Sequence, residues 1–125
     1  MLLDSDVLID IERGHPAALA WIATLTAPPF VSGFAALELV QGAVNKAEMR
    51  RIRTFLADFP LLWPTAEELT RAFDEYAVLR LSHGLGLLDS LIAATATGAG
   101  EVLATFNVAH FDAVPELATA QPYLR

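Results

Sequence analysis

The chain opens with Met1-Leu2-Leu3-Asp4-Ser5-Asp6-Val7-Leu8-Ile9-Asp10, where a short apolar run meets a carboxylate and the apolar pattern then changes its period. The two leucines before Asp4 are typical of a buried strand, whereas the apolar residues of 7–11 recur at helical spacing. A strand therefore ends, and a helix begins, between Asp4 and Asp6. Ligands of open α/β sheets bind beyond the carboxyl ends of the strands. Asp4 is thus predicted to lie at a functional edge of the sheet. The alternative is that Asp4 or Asp6 only caps the following helix, and Asp6 is the more expected cap of the two.

Length and composition indicate one domain, residues 1–125, with apolar surface that a partner could cover. The chain has 125 residues, 54% of them hydrophobic, and a mean hydropathy of +0.45. No apolar run approaches the roughly 18 residues of a membrane span. The apolar surplus predicts surface that another chain covers, in a homodimer, with a protein partner or both. No secretory leader is expected, so the predicted location is the cytoplasm.

Charge and cysteine content restrict the chemistry. The chain has no cysteine, which excludes disulfides, thiolate nucleophiles and cysteine-zinc sites. Fifteen acidic against eight basic residues give a net charge of −7, and a field of that sign repels nucleic acid and anionic membranes. A nucleic-acid function would therefore need local basic patches and a cation that offsets the acids.

Predicted strands and helices alternate along the chain, which favours an α/β fold with a largely parallel sheet of four to five strands covered on both faces. Thr65 and Glu68 form a capping-box pattern that begins a long helix. The predicted strands are 2–3, 30–32, 61–63 and 102–105, with a further edge strand near the end of the chain. The predicted helices begin near Val7 and span 17–25, 35–44, 46–59, 66–82 and 88–97, and 106–111 is a loop or a short helical turn.

Three acids lie in apolar or small-residue surroundings rather than on polar faces. Asp4 follows Met-Leu-Leu, Glu38 lies in Ala-Ala-Leu-Glu-Leu-Val, and Asp89 lies in Leu-Leu-Asp-Ser-Leu-Ile-Ala-Ala. Asp4 and Glu38 each follow a strand, and Asp89 begins the helix that leads into the last long strand. The carboxyl ends of parallel strands and the N-termini of helices meet at one edge of the sheet, so the three are expected to converge.

Converging carboxylates must be neutralised. Two of them about 4 Å apart repel by roughly 4 kcal/mol at an effective dielectric of 20. Either one is protonated or a divalent cation binds, and all-oxygen ligands suit Mg²⁺ or Mn²⁺. A hard cation in an acidic cleft polarises a phosphoryl oxygen and lowers the pKa of its bound water. Hydrolysis then needs no side-chain nucleophile, and the cation also explains how an acidic protein could hold a polyanion.

Four stretches of the sequence resemble the motifs of a known family. The stretch 3–9 is similar to the opening motif of PIN-domain ribonucleases of the VapC toxin type. Residues 31–42 are similar to the second motif, 88–96 to the third, and 103–111 with Pro115-Glu116-Leu117 to the fourth. Each motif alone is weak, but four in order at family spacing form a strong pattern.

The resemblance implies a three-layer α/β/α domain and an Mg²⁺- or Mn²⁺-dependent endoribonuclease. It further implies toxicity through RNA cleavage, a cognate antitoxin and a homodimer. Asp4, Glu38 and Asp89 match the acidic site positions of the family. The candidate auxiliary residues are Ser5, Asp6, Thr105 and Asn107.

Two positions depart from the family pattern. Asp6 replaces a common Asn, which makes it an extra group of the metal site or only a cap. In the fourth motif, where many relatives supply a further acid, this chain has Asn107 and His110. Asn107 is expected to bind water or Asp4, and His110 is interpreted as structural.

Other readings of the same residues remain. A haloacid-dehalogenase-type phosphatase also begins with a strand and Asp-x-Asp but needs a later lysine, and Lys46 is the only one. A phospho-receiver domain needs a lysine where Thr105 stands. The main alternative is a catalytically weak or inactive PIN-fold module that binds proteins.

Several basic residues are candidate RNA contacts: Lys46, Arg50, Arg53, Arg80 and His83. The first three share a helical stripe and could meet phosphates. A solvated helix face is the equally simple interpretation. The aromatic residues Trp21, Trp63, Phe73 and Tyr76 are interpreted as core or interface.

Overall fold

A computed structural model describes all residues from Met1 to Arg125. The predicted α/β fold is confirmed, with five parallel strands and seven helices. The strands are β1 Leu2–Leu3, β2 Phe30–Ser32, β3 Leu61–Leu62, β4 Leu103–Ala104 and β5 Thr119–Ala120. The helices are α1 Ser5–Glu12, α2 Pro16–Ile22, α3 Gly33–Gln41, α4 Lys46–Leu56, α5 Ala66–His83, α6 Leu87–Ala99 and α7 Val108–Phe111.

The strand order β3-β2-β1-β4-β5 places the first strand at the centre of the sheet. From β1 the chain moves outward through β2 to β3, and it then crosses to the other side of β1 to form β4 and β5. The order therefore reverses between β1 and β4. In open α/β sheets the crevice at such a reversal, beyond the carboxyl ends of the strands, is the usual ligand site.

The core is built around β1. Leu2 and Leu3 are fully buried, in register with Phe30 and Val31 of β2 on one side and with β4 on the other. Helices α1 and α6 add their apolar faces, since Leu8 and Ile92 are also buried. Continuous apolar strands of this kind are expected in a parallel sheet that is covered on both faces.

The start of α1 corrects one expectation. Asp4, not Asp6, is the N-cap residue, and its carboxylate accepts a hydrogen bond from Ser5 N at 2.8 Å. Asp6 lies inside the first turn. The strand ends at Leu3 and the helix begins at Ser5, so Asp4 is the only residue between them and takes the cap position.

Helix α5 carries its predicted capping box at Thr65 and Glu68. The buried residues are Ala72 and Leu79, whereas Phe73 is 71% exposed. Trp63 is also exposed, so neither aromatic belongs to the core of the single chain. No helix combines the length and the apolar character needed to cross a lipid bilayer.

The central strand makes a specific contribution to stability. Leu3→Ala is expected to lower the free energy of unfolding by roughly 2–5 kcal/mol, because it removes a fully buried side chain from a sheet that cannot collapse around the void. Urea denaturation followed by circular dichroism measures the loss. Leu81→Ala, at a leucine that is 95% exposed, is the matched control and should change stability by less than about 0.5 kcal/mol. Equal effects of the two substitutions would contradict this placement of the core.

Candidate active site

Asp4 lies at the reversal point of the sheet and is buried, with 4% of its surface exposed. Thr105, which directly follows β4, donates a hydrogen bond from Oγ1 to Asp4 Oδ2 at 2.7 Å. Ser5 N donates to the other carboxylate oxygen. Two residues that are 101 positions apart along the chain are thus joined across the crevice between the two central strands.

The surroundings of Asp4 disfavour its negative charge. Burial above all, together with the nearby charges of Asp6 and Asp89, raises the pKa of Asp4 from 3.8 to about 6, although the hydrogen bonds from Thr105 and Ser5 oppose the rise. At neutral pH most Asp4 side chains are ionised, yet at an energetic cost. A carboxylate with this environment in a crevice is a candidate for function.

Asp6 is held by the loop after β4. Its Oδ2 accepts a hydrogen bond from Phe106 N at 3.0 Å, and Asn107 Nδ2 donates to the same oxygen at 3.4 Å. Burial raises the pKa of Asp6, and the Phe106 N–H opposes that rise. Of the two partners expected for Asn107, water and Asp4, the second is replaced by Asp6, because the turn of the loop directs the Asn107 side chain there.

Glu38 reaches the site through a serine. Ser5 Oγ donates a hydrogen bond to Glu38 Oε2 at 3.1 Å, so the side chain that follows Asp4 in sequence links α1 to α3. Glu38 is half-buried. Ser32 fixes the start of α3, because its hydroxyl caps the helix by accepting a bond from Phe34 N.

Asp89 lies in the first turn of α6, and its Oδ2 accepts two hydrogen bonds. Gly86 N donates at 3.2 Å and His110 Nε2 donates at 2.8 Å. A Cβ atom at Gly86 would lie only 2.7 Å from the same oxygen, so a larger residue there would displace the Asp89 carboxylate. His110, interpreted from the sequence as structural, therefore contacts one of the three candidate acids directly. Its position in the fourth motif, beside Asn107, was the available signal.

The donor atoms suit a hard cation, but they do not form a closed ligand set. No three His, Asp or Glu side chains are placed closely enough to hold a metal ion. Asp4, Asp89 and Glu38 supply carboxylate oxygens, and Mg²⁺ commonly binds through only one or two carboxylates while keeping several waters. The chemistry of these residues fits such an ion, and their assignment as ligands stays a prediction.

The family model of the PIN domain matches residues 1–117. The chain belongs to the PIN-domain family. Among curated proteins this PIN domain is 40% identical to "Ribonuclease VapC10" of Mycobacterium tuberculosis, over 94% of this chain and 90% of the relative. It is 33% identical to "Ribonuclease VapC19" of the same species, over 93% of this chain and 95% of the relative.

Solved structures share the fold of this PIN domain. A toxin-antitoxin complex from Klebsiella pneumoniae contains a chain with a TM-score of 0.78 and 26% identity, covering 99% of this chain and 98% of that chain. The strands and helices that carry the site residues are therefore arranged in the same way in that chain.

The predicted basic residues divide into two groups. Lys46, Arg50 and Arg53 line one shallow depression along α4, as their spacing indicated, and none of them forms an ion pair. The other two lie at the end of α5. Arg80 donates to the carbonyl oxygens of residues 84 and 85, and His83 interacts with the hydroxyl of the preceding serine.

The burial of Asp4 predicts a pH-dependent stability. A carboxyl group whose pKa is higher in the folded state binds its proton more tightly there, so its destabilising effect vanishes below pH 3.8 and is complete above about pH 6. Asp4→Asn is therefore expected to raise the free energy of unfolding at pH 8 by roughly 1–3 kcal/mol. The gain should shrink as the pH falls towards 4.

Chemical denaturation between pH 4 and 8, in the presence of a chelator, measures this difference. Asp58→Asn, at an exposed aspartate at the end of α4, is the matched control and should leave the pH profile unchanged. If Asp4→Asn were less stable than the parent protein at pH 8, the energetic description of Asp4 would be wrong.

Proposed function

We propose that this PIN domain is an Mg²⁺- or Mn²⁺-dependent endoribonuclease that acts as the toxin of a type II toxin–antitoxin pair of the VapBC kind. The observation that carries the proposal is the buried Asp4 carboxylate at the reversal point of the sheet, whose pKa is raised in part by repulsion from the charges of Asp6 and Asp89. The 40% identical relative is named a ribonuclease, which supports RNA as the substrate. A cluster of this charge is stabilised by a divalent cation.

Hydrogen bonds from neighbouring residues hold the candidate acids in place. Thr105 and Ser5 N fix the two oxygens of Asp4. Gly86 N and His110 fix Oδ2 of Asp89. Asp4 and Asp89 would hold the cation, with Glu38 as a further carboxylate. When bound, the ion supplies Lewis-acid polarisation of the phosphoryl group and a water of lowered pKa for hydrolysis.

The substrate is expected to cross the α4 surface. The three cations there, Lys46, Arg50 and Arg53, have no anionic partner in the chain and can contact phosphates. Such contacts contribute affinity that falls as salt rises. They also offset locally the field of a protein whose net charge is −7.

Partners of the toxin are proposed on two grounds. The structural relative from Klebsiella pneumoniae belongs to a toxin-antitoxin complex, which supports a cognate antitoxin for this chain. Large apolar side chains are also exposed, among them Phe73, Val78 and Leu81 on α5. We propose that an antitoxin and a second copy of the chain cover such surfaces, in the cytoplasm where the RNA substrate is found.

The alternative function is a catalytically weak or inactive PIN-fold module that binds proteins. One observation favours it, namely that the acids do not form a three-ligand set as they stand. The two functions differ in whether the purified protein cleaves RNA when a divalent cation is added.

Replacement of Asp89 tests the site. Asp89→Asn keeps the size of the side chain and one acceptor oxygen but removes its charge, and it is expected to lower RNA cleavage by at least about 100-fold, because a ligand and its charge are lost. Single-turnover cleavage of a labelled RNA measures the rate. Asp112→Asn, at an exposed aspartate near the site, is the control and should retain nearly full activity. If the Asp89→Asn protein cleaved as fast as the parent, the site assignment would fail.

Removal of the ion is the complementary test. Addition of EDTA is expected to abolish cleavage, and excess Mn²⁺ or Mg²⁺ to restore it. Mn²⁺ should also raise the melting temperature of the parent protein but not that of Asp4→Asn, because ligand binding stabilises the folded state only where the site is intact. Cleavage that persists in EDTA would contradict metal dependence.

A further inference from the structure

A cavity of about 480 Å³ adjoins the candidate site on the side of Glu38. It lies among α1, α3 and α4, and its volume is in the range of roughly 300–1,000 Å³ that is usual for small-ligand sites. Five of its nine lining residues are charged, three acids and two bases. They are Glu12, Arg13, Glu38, Glu48 and Arg51. Since Glu38 also binds Ser5, the cavity opens beside the residue that follows Asp4.

Two of these charged groups have no partner in the protein. Glu12 forms an ion pair with Arg51, and Glu38 accepts the serine hydroxyl. The Glu48 carboxylate accepts no hydrogen bond, the Arg13 guanidinium donates none, and neither forms an ion pair; Glu48 is half-buried, whereas Arg13 is exposed. A polar group that is partly withdrawn from water gains from a partner. The cavity therefore offers a free acceptor and a free donor to a ligand.

The charges of the cavity select the chemistry of that ligand. Three carboxylates and two guanidinium groups give a net charge of −1, which disfavours a phosphate. A cationic side chain from a partner protein would leave the unpaired Arg13 without an acceptor. A neutral, planar group with N–H donors on one edge and acceptors on another can bind the carboxylates with the first edge and a guanidinium group with the second. The aliphatic side chains of Ile9, Leu39 and Ile52 provide apolar contact for its faces.

We propose that this cavity binds an unpaired RNA base next to the cleaved phosphodiester and that guanine is the preferred base. This inference rests on the proposed ribonuclease function. RNA is read mainly through unstacked bases whose edges meet side chains. Guanine alone presents two adjacent N–H donors on one edge, which match a carboxylate, and the O6 and N7 acceptors on another, which match an arginine fork. Glu48 and Arg13 are the residues assigned to these two edges.

The first experiment reads the sequence preference directly. The parent protein, Glu48→Gln and Arg13→Ala are each incubated with Mn²⁺ and an RNA pool that contains a randomised segment, and the cleavage ends are sequenced. We expect guanine to be enriched at one position beside the cut in the parent. Each variant should reduce that enrichment about tenfold, because one edge of the base loses its partner.

Two controls separate base recognition from general binding. Lys46→Ala removes a cation outside the cavity and is expected to slow cleavage of all sequences by a similar factor, with a weaker dependence on salt. Glu67→Gln removes an exposed acid at the start of α5 and should leave the sequence profile unchanged. Circular dichroism and melting temperatures confirm that the variants fold.

A second experiment keeps the proposal testable if the protein does not cleave. A five-nucleotide RNA with one central guanine and its twin with adenine are titrated into the parent protein in EDTA. We expect the guanine RNA to bind several-fold more tightly, and this difference to vanish in Glu48→Gln. Guanine-dependent binding without cleavage would leave the subsite intact and overturn the proposed nuclease activity.

Three results would overturn the subsite. One is an active parent whose cleavage ends carry no base preference. Another is a preference that survives in both Glu48→Gln and Arg13→Ala. The third is a pair of variants that lose affinity for the antitoxin while their RNA profiles stay unchanged, since the cavity would then be a protein-binding site.

Discussion

The candidate site is organised around the burial of one carboxylate at the carboxyl end of the central strand. Asp4 ends the middle strand, is almost fully shielded from water and is bound by Thr105 from the neighbouring strand. Burial of a charge is costly unless it is paired. The protein provides hydrogen bonds but no cation of its own beside Asp4, and it adds the charges of Asp6 and Asp89 instead. Such an arrangement sacrifices stability, as sites built for function often do.

The topology explains why Asp4 and Thr105 meet. The strand order reverses between β1 and β4, so the chain leaves the two strands in opposite directions and opens a crevice at their carboxyl ends. Asp4 and Thr105 occupy the two walls of this crevice. Helix α6 points its N-terminus towards it and contributes Asp89. Ser5 extends the same cluster to Glu38 and to the charged cavity beyond it.

Much of the fold could be predicted from local pattern. The change of apolar period around Asp4 located the end of β1, and the Thr65 capping box located the start of α5. The acids Asp4, Glu38 and Asp89 stood out because their neighbours are apolar or small. β5 was expected only as an unlocated edge strand, because Thr119–Ala120 carries no apolar alternation.

Contacts between distant segments could not be predicted in this way. His110 lies 21 residues from Asp89, and its bond to that acid depends on how the loop after β4 folds back over α6. The same holds for the end of the chain, where Tyr123 and Arg125 both donate to Asp10. Arg125 also stacks over Phe106, the residue whose N–H holds Asp6. No local pattern indicates these pairs, because each partner is an ordinary surface residue in its own segment.

A divalent cation bound at Asp4 would relieve the repulsion among the acids. An anomalous difference map from crystals soaked in Mn²⁺ tests it most directly. We expect a peak within coordination distance of Asp4 and Asp89 that disappears in crystals of Asp4→Asn. A map with no peak at these residues, or with a peak that persists in the variant, would contradict it.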